Sequence, residues 1–179
     1  MKIIALVGLP GSGKSTAAAL FNKKGFQIIR FGDITEEYLK KAGLSLNEKN
    51  ERAIRESLRK ENGMEAYAKL HKDNIDRSLK HGKVVIDGLY SYEEFKFLKK
   101  EYEDIILITV ETSPEKRYER LSKREKRSLT EKEAEQRDKT EIENLNIQKT
   151  IDSADFTLHN IFTEHELEEQ IEKIIEKVK

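Results

Sequence analysis

The chain has 179 residues, with 34 Lys and Arg balancing 34 Asp and Glu, 36% hydrophobic residues and no cysteine. That length suits one compact unit with a sizeable core. The neutral total argues against a dedicated nucleic-acid or membrane-surface protein, and the lack of cysteine excludes disulfides, thiol catalysis and Cys-based zinc sites.

No apolar run approaches the roughly 18 residues that a bilayer span requires. The opening MKIIALV reaches a Gly/Pro turn too early for a signal peptide, so a cytoplasmic location is expected. Four histidines, His71, His81, His159 and His165, fall at no metal-ligand spacing.

Apolar runs then alternate with helical patterns along the chain. Lys2 to Val7 reads as a buried strand closed by Gly8, and Ser15 to Lys24 as a helix ending at Gly25. Phe26 to Phe31 is a second strand. Helices follow over Asp33 to Lys41, Asn47 to Glu61 and Met64 to Lys80, each stopped near a glycine. Val84 to Ile86 is a third strand, Tyr92 to Tyr102 a helix, and Ile105 to Val110 a fourth strand, after which Pro114 opens a helix at its first turn. Ala154 to Leu158 is a weaker fifth strand. The last segment sets Leu167, Ile171, Ile174, Ile175 and Val178 on one helical stripe suited to packing on a sheet.

This alternation predicts an α/β fold, a P-loop-type three-layer sandwich on a five-stranded parallel sheet with right-handed crossovers. Residues 1–179 are read as one domain. Two connections exceed simple crossovers, about 33–82 and about 113–153, and insertions of that kind build the site above the strand ends.

The string Gly8-Leu9-Pro10-Gly11-Ser12-Gly13-Lys14-Ser15-Thr16 satisfies GxxxxGK[ST] between an apolar strand and a helix. Glycines let successive backbone N–H groups converge on phosphate oxygens, and the helix N-terminus adds partial positive charge. In that motif Lys14 reaches the β- and γ-phosphates of a nucleotide and the Ser15 hydroxyl ligates Mg2+, so ATP and Mg2+ are the implied cofactors. The switch-GTPase strings DxxG and NKxD do not occur.

Asp87 ends the third strand, where a carboxylate faces the phosphate loop and could hold a Mg2+-bound water. Asp33, just past the second strand, admits two readings: a base or ligand for the acceptor substrate, or a capping-box-like pair with Glu36 at the start of a helix. Lys116 to Arg127 carries seven basic and two acidic residues. Within it Arg117, Arg120, Arg124 and Arg127 form one stripe of a helix running into a loop, with Arg137 on the next helix. Forked guanidinium donors suit the dispersed charge of a transferred phosphoryl group. A solvated basic face and RNA phosphate binding are the alternatives. Arg52, Arg55 and Arg59 form a further stripe. It reads either as helix ion pairs, Arg52 with Glu56 and Arg55 with Glu51, or as contacts to the acceptor's phosphate.

These residues resemble the nucleoside monophosphate kinase superfamily, adenylate kinase and dephospho-CoA kinase in particular. The likeness is nearest to an archaeal family of adenylate-kinase-related P-loop proteins and runs over essentially the whole chain. GLPGSGKST resembles the phosphate loop, FGD (Phe31 to Asp33) the start of the acceptor region, and VIDGLYS (Val85 to Ser91) the strand-three signature. RYERLSKR (Arg117 to Arg124) resembles the helix entering the lid, and ADFTLHN (Ala154 to Asn160) the strand and loop beside the donor adenine. The resemblance implies that Arg120 lies against adenine, that Arg124 and Arg137 grip phosphates in a closed lid, and that Asn160 borders the base. It also places Asp87, Gly88 and Tyr90 beside the acceptor. Adenylate kinase follows its Asp-Gly with Pro-Arg where this chain has Leu89-Tyr90-Ser91, which leaves the acceptor open.

Three functions fit these features. The leading one is an ATP-dependent nucleotide kinase with AMP or a similar small-molecule acceptor, acting as a monomer or small homo-oligomer. The second is a dephospho-CoA kinase with Asp33 as base. The third is a nucleotide-binding regulator or RNA-associated ATPase.

Overall fold

The computed structural model describes residues 3–125, 127–161 and 163–178; Lys2 of the first expected strand and Lys126 of the basic segment lie outside them. In chain order the elements are β1 (Ile3–Val7), α1 (Lys14–Lys23), β2 (Phe26–Arg30), α2 (Asp33–Lys41), α3 (Glu48–Asn62), α4 (Ala66–Leu79) and β3 (Lys83–Asp87). There follow α5 (Tyr92–Glu101), β4 (Ile105–Glu111), α6 (Pro114–Ser122), α7 (Glu131–Leu145), α8 (Ile147–Asp152), β5 (Phe156–His159) and α9 (Glu164–Lys177). Among the described residues no helix is long and apolar enough to cross a membrane.

The five strands form one parallel sheet in the order β2-β3-β1-β4-β5. β1 is central: Ile3 stands opposite Val84 on one side and Ile105 on the other. Alternate side chains of a strand leave opposite faces. Ile3, Ala5 and Val7 therefore enter a layer with Tyr67, Ile75 and Leu98, while Ile4 and Leu6 enter a second layer with Phe21, Leu167 and Ile171. Both faces are covered, which is why these strands read as unbroken apolar runs. The order reverses at β1, so the crevice beyond its carboxyl end is the place where such sheets bind ligands.

The expected strands and helices all form, with three local differences. β5 begins at Phe156, because the Asp155 carboxylate accepts the Leu107 N–H at 2.8 Å before the ladder starts. The short helix α8 was not anticipated; Asn146, in left-handed geometry at φ 50°, turns the chain out of α7 and directly into it. The Asp33–Glu36 capping box does not form. Gly32 occupies the cap of α2, so Asp33 sits inside the first turn with its carboxylate 3.6 Å from Arg30, and Glu36 reaches Arg127 at 3.0 Å.

A capping box does open α5: Ser91 Oγ accepts the Glu94 N–H, and Glu94 Oε2 accepts the Tyr90 and Ser91 N–H groups. Glu94 is fully buried at 0% exposure, and that burial pushes its carboxyl up to about 7 from 4.5, against the pull of Arg59. A carboxyl whose folded pKa is raised binds more protons folded than unfolded between the two values. Stability therefore declines as pH rises from 4.5 to about 7, by an amount on the order of 3 kcal/mol at 1.36 kcal/mol per unit. Glu94→Gln removes this dependence. Urea unfolding at pH 5 and pH 7.5 checks it: the variant gains on the parent at the higher pH, and a pH-independent difference contradicts the assignment.

Candidate active site

The loop from Gly8 to Gly13 is held by close backbone approach. At Gly8, φ 147°, a Cβ would stand 2.4 Å from the Val110 carbonyl; at Gly13, φ 102°, it would stand 1.9 Å from Asn160 Nδ2. Only glycine fits both the dihedral and the space. Gly13 caps α1 without any side-chain acceptor, so the first N–H groups of that helix face the loop's concavity with the positive end of its dipole.

Lys14 bends back over the loop, its Nζ donating to Gly8 O at 2.6 Å and Leu9 O at 3.1 Å. Burial lowers its pKa from 10.5 to about 8; Glu141 and Asp87 oppose that shift, and Arg137 and Arg124 add to it. Ser15 Oγ donates to Asp87 Oδ2 at 2.7 Å. β3 lies beside β1 in register, which delivers Asp87 to the loop. Among the described residues no group of three His, Cys, Asp or Glu is placed to cage a metal ion. A hydroxyl and one carboxylate are nonetheless the donor set that Mg2+ takes when nucleotide phosphates complete its shell.

A cleft of about 810 Å3 opens over this loop. Of the residues singled out in the sequence, it brings together Pro10, Gly11, Gly13, Lys14, Ser15 and Thr16 with Asp87, Gly88 and Tyr90. Arg55, Arg120, Arg124 and Arg137 line it too. Arg124 makes no ion pair among the described residues, and burial together with Arg137 and Arg127 lowers its pKa. Gly8, Ser12 and Asn160 do not line the cleft: Asn160 packs behind the loop, its Nδ2 donating to Ser12 O at 2.8 Å. Arg120 spans both places, donating to Asn160 O at 3.1 Å and to Gly11 O at 3.5 Å.

Asp33, Arg52 and Arg59 are not cleft residues. Asp33 is half exposed beside Arg30. Arg52 pairs with Glu56 at 2.9 Å as its spacing suggested. Arg59 lies over the Tyr67 ring at 5.2 Å. The anticipated Arg55–Glu51 pair is replaced, because Glu51 reaches across to Arg127 at 2.8 Å and Arg55 takes Glu48 at 2.5 Å. The basic stripe also divides. α6 ends at Ser122, leaving Arg124 and Arg127 on the following loop, and Arg117 turns inward.

Arg117 is buried with Nη2 2.7 Å from Asp138 Oδ2, while Nη1 donates to Pro10 O at 3.2 Å. It thus ties the phosphate loop to α7. Asp138→Ala leaves an unpaired buried cation and is expected to cost about 3–5 kcal/mol. The double variant Arg117→Met, Asp138→Leu should recover most of that loss in urea unfolding; a single variant as stable as the parent contradicts the assignment.

The sequence reading missed Arg30, Leu46, Glu48 and Glu141, and gave Glu51 only as a helix partner for Arg55. All but Glu48 line the cleft, and Glu48 carries Arg55 and Arg137. One signal was available: Arg137 and Glu141 stand at helix-pairing spacing, and Arg137 Nε lies 3.1 Å from Glu141 Oε1.

Comparison with known proteins adds a family. A family model described as an AAA domain matches residues 4–144. A UPF0200 protein of Thermococcus kodakarensis is 35% identical over 98% of this chain and 97% of its own length. A UPF0200/UPF0201 protein of Archaeoglobus fulgidus is 35% identical over 99% of this chain, which spans only 56% of that relative. Among solved structures, shikimate kinase from Bacteroides thetaiotaomicron superposes with a TM-score of 0.64 over 98% of both chains, at 15% identity.

Proposed function

The chain belongs to the UPF0200 family and has a P-loop kinase-like fold, and from that premise we propose that it is an ATP-binding, Mg2+-dependent phosphotransferase of the nucleoside monophosphate kinase type. It transfers the γ-phosphate of ATP to a nucleotide-like acceptor such as AMP. The observation that carries this reading is the 2.7 Å contact of Ser15 with Asp87 beside Lys14, at the foot of a cleft that also holds Arg124 and Arg137.

In this reading the loop amides and Lys14 bind the donor phosphates, and Ser15 and Asp87 hold Mg2+. When bound, the metal ion supplies charge neutralisation on the β- and γ-phosphate oxygens. Arg120 and Asn160 border the base. Arg124 and Arg137 move onto the transferred group as residues 113–153 close as a lid, and residues 33–82 form the acceptor-binding insertion. Closure excludes water and so limits wasteful hydrolysis. The dephospho-CoA reading with Asp33 as base has less support, since Asp33 faces Arg30 outside the cleft.

ADP release measured with AMP, other nucleoside monophosphates, dephospho-CoA and no acceptor tests the proposal. Stimulation by a nucleoside monophosphate is expected. Hydrolysis that no acceptor accelerates contradicts it and favours the regulator or ATPase reading.

A further inference from the structure

A second cavity of about 540 Å3 between α3 and α7 adjoins the phosphate cleft, and Arg55, Tyr90, Arg137 and Glu141 form the wall that the two share. Six cations line it, Lys49, Arg52, Arg55, Arg59, Lys132 and Arg137, against four carboxylates. All four carboxylates are committed. Glu48 pairs with Arg55 and Arg137, Glu56 with Arg52 and Glu141 with Arg137, while Glu133 accepts from Thr130.

Lys49, Arg59 and Lys132 have no ion-pair partner among the described residues. Lys49 on α3 and Lys132 on α7 are exposed. Arg59 differs from them: its Nε and Nη2 are buried without an acceptor, and its guanidinium lies over the Tyr67 ring at 5.2 Å. Glu94, the buried carboxylate that feels the Arg59 charge, leaves Oε1 unbonded, and its Oε2 accepts the Tyr90 and Ser91 N–H groups. A guanidinium withdrawn from water without an acceptor costs stability, and an anion in the cavity supplies what it lacks.

Lys14 and Arg124 line only the first cleft; Arg59, Lys49 and Lys132 line only the second. In the kinase reading, the acceptor's reacting phosphate lies against the γ-phosphate of ATP, within reach of Lys14 and Arg124. The unpaired cations across the shared wall therefore face a different anionic group, and the wall of four residues makes the two spaces neighbours that one molecule can enter. Resting on that reading, we propose that the second cavity is a subsite for a second phosphate of the acceptor, which is a nucleoside bisphosphate. One phosphate reacts in the first cleft, and the other is held by Arg59 with Lys49 and Lys132. AMP fills the reacting position and leaves the subsite empty.

ATP consumption by the full chain with AMP, adenosine 2′,5′-bisphosphate and adenosine 3′,5′-bisphosphate tests this. One bisphosphate is expected to show a kcat/KM about 10-fold or more above that of AMP, through KM, the effect of one charge-assisted hydrogen bond. Arg59→Gln is expected to bring that ratio towards one, and Arg59→Lys to keep part of it. The double variant Lys49→Gln, Lys132→Gln, at exposed positions, lowers the ratio in a chain whose core is untouched. Bisphosphates no better than AMP in the parent chain overturn the proposal and leave the kinase reading standing. So does a ratio unmoved in Arg59→Gln or, where that variant fails to fold, in the double variant. An AMP rate raised equally by added inorganic phosphate also overturns it, since the anion is then a separate molecule. No stimulation by any of the three acceptors overturns the kinase reading, and the subsite with it.

Discussion

Replacing Lys14 by alanine is expected to lower ATP-dependent turnover by at least about 10³-fold, equivalent to about 4 kcal/mol of barrier. Lys14 is the cation that arches over the loop, and in the proposed mechanism its charge meets the phosphates as negative charge moves onto the leaving oxygen. The same substitution should leave the fold intact. Burial depresses the Lys14 pKa, which means the folded protein bears a cost for keeping that charge, and alanine removes the cost along with the two bonds to Gly8 and Leu9 carbonyls. Thermal unfolding alongside the assay separates the two effects: a midpoint near that of the parent with turnover lost supports the role given to Lys14. Turnover retained in a folded variant contradicts it.

Asp87→Asn is expected to cost about 10²–10³-fold, the range seen when one charge-stabilising group is removed from an active site. Asparagine can still accept the Ser15 hydroxyl hydrogen bond that the carboxylate accepts at 2.7 Å. What it lacks is the charge, so the defect should appear as a need for more magnesium. A magnesium titration of turnover shifts to higher concentration in the variant. ATP binding without magnesium is equal or tighter, because a carboxylate no longer repels the phosphates. Equal weakening with and without magnesium would mean that Asp87 supports the loop rather than the metal.

The local parts of the site were legible in the sequence because their causes are local. The phosphate loop is one contiguous string whose glycines are demanded by the Val110 carbonyl and by Asn160, and its flanking strand and helix carry their own signals. Asp87 was legible for a similar reason, since it ends a strand whose apolar run marks it as central. The acceptor side was harder to read. Arg55 and Glu51 stand four apart on α3, yet they do not pair: Glu51 turns to Arg127 on the loop after α6, and Arg55 takes Glu48 at the start of α3, which Arg137 from α7 also reaches. Arg117 shares a helical stripe with Arg120 but points into the protein, where Asp138 and the Pro10 carbonyl satisfy it. Such pairings depend on how residues 113–153 settle over residues 33–82, and no spacing within either segment encodes that. Glu141 is the sharpest instance: its helix-pairing with Arg137 is written in the sequence, but its approach to Lys14 across 127 positions is not.

The central claim is that the loop of backbone amides and Lys14 binds a nucleoside triphosphate with magnesium. Titration calorimetry of the full chain with MgATP tests it most directly. A saturable heat that disappears in Lys14→Ala is the predicted result, and no heat from the parent chain with MgATP or MgGTP would contradict the account.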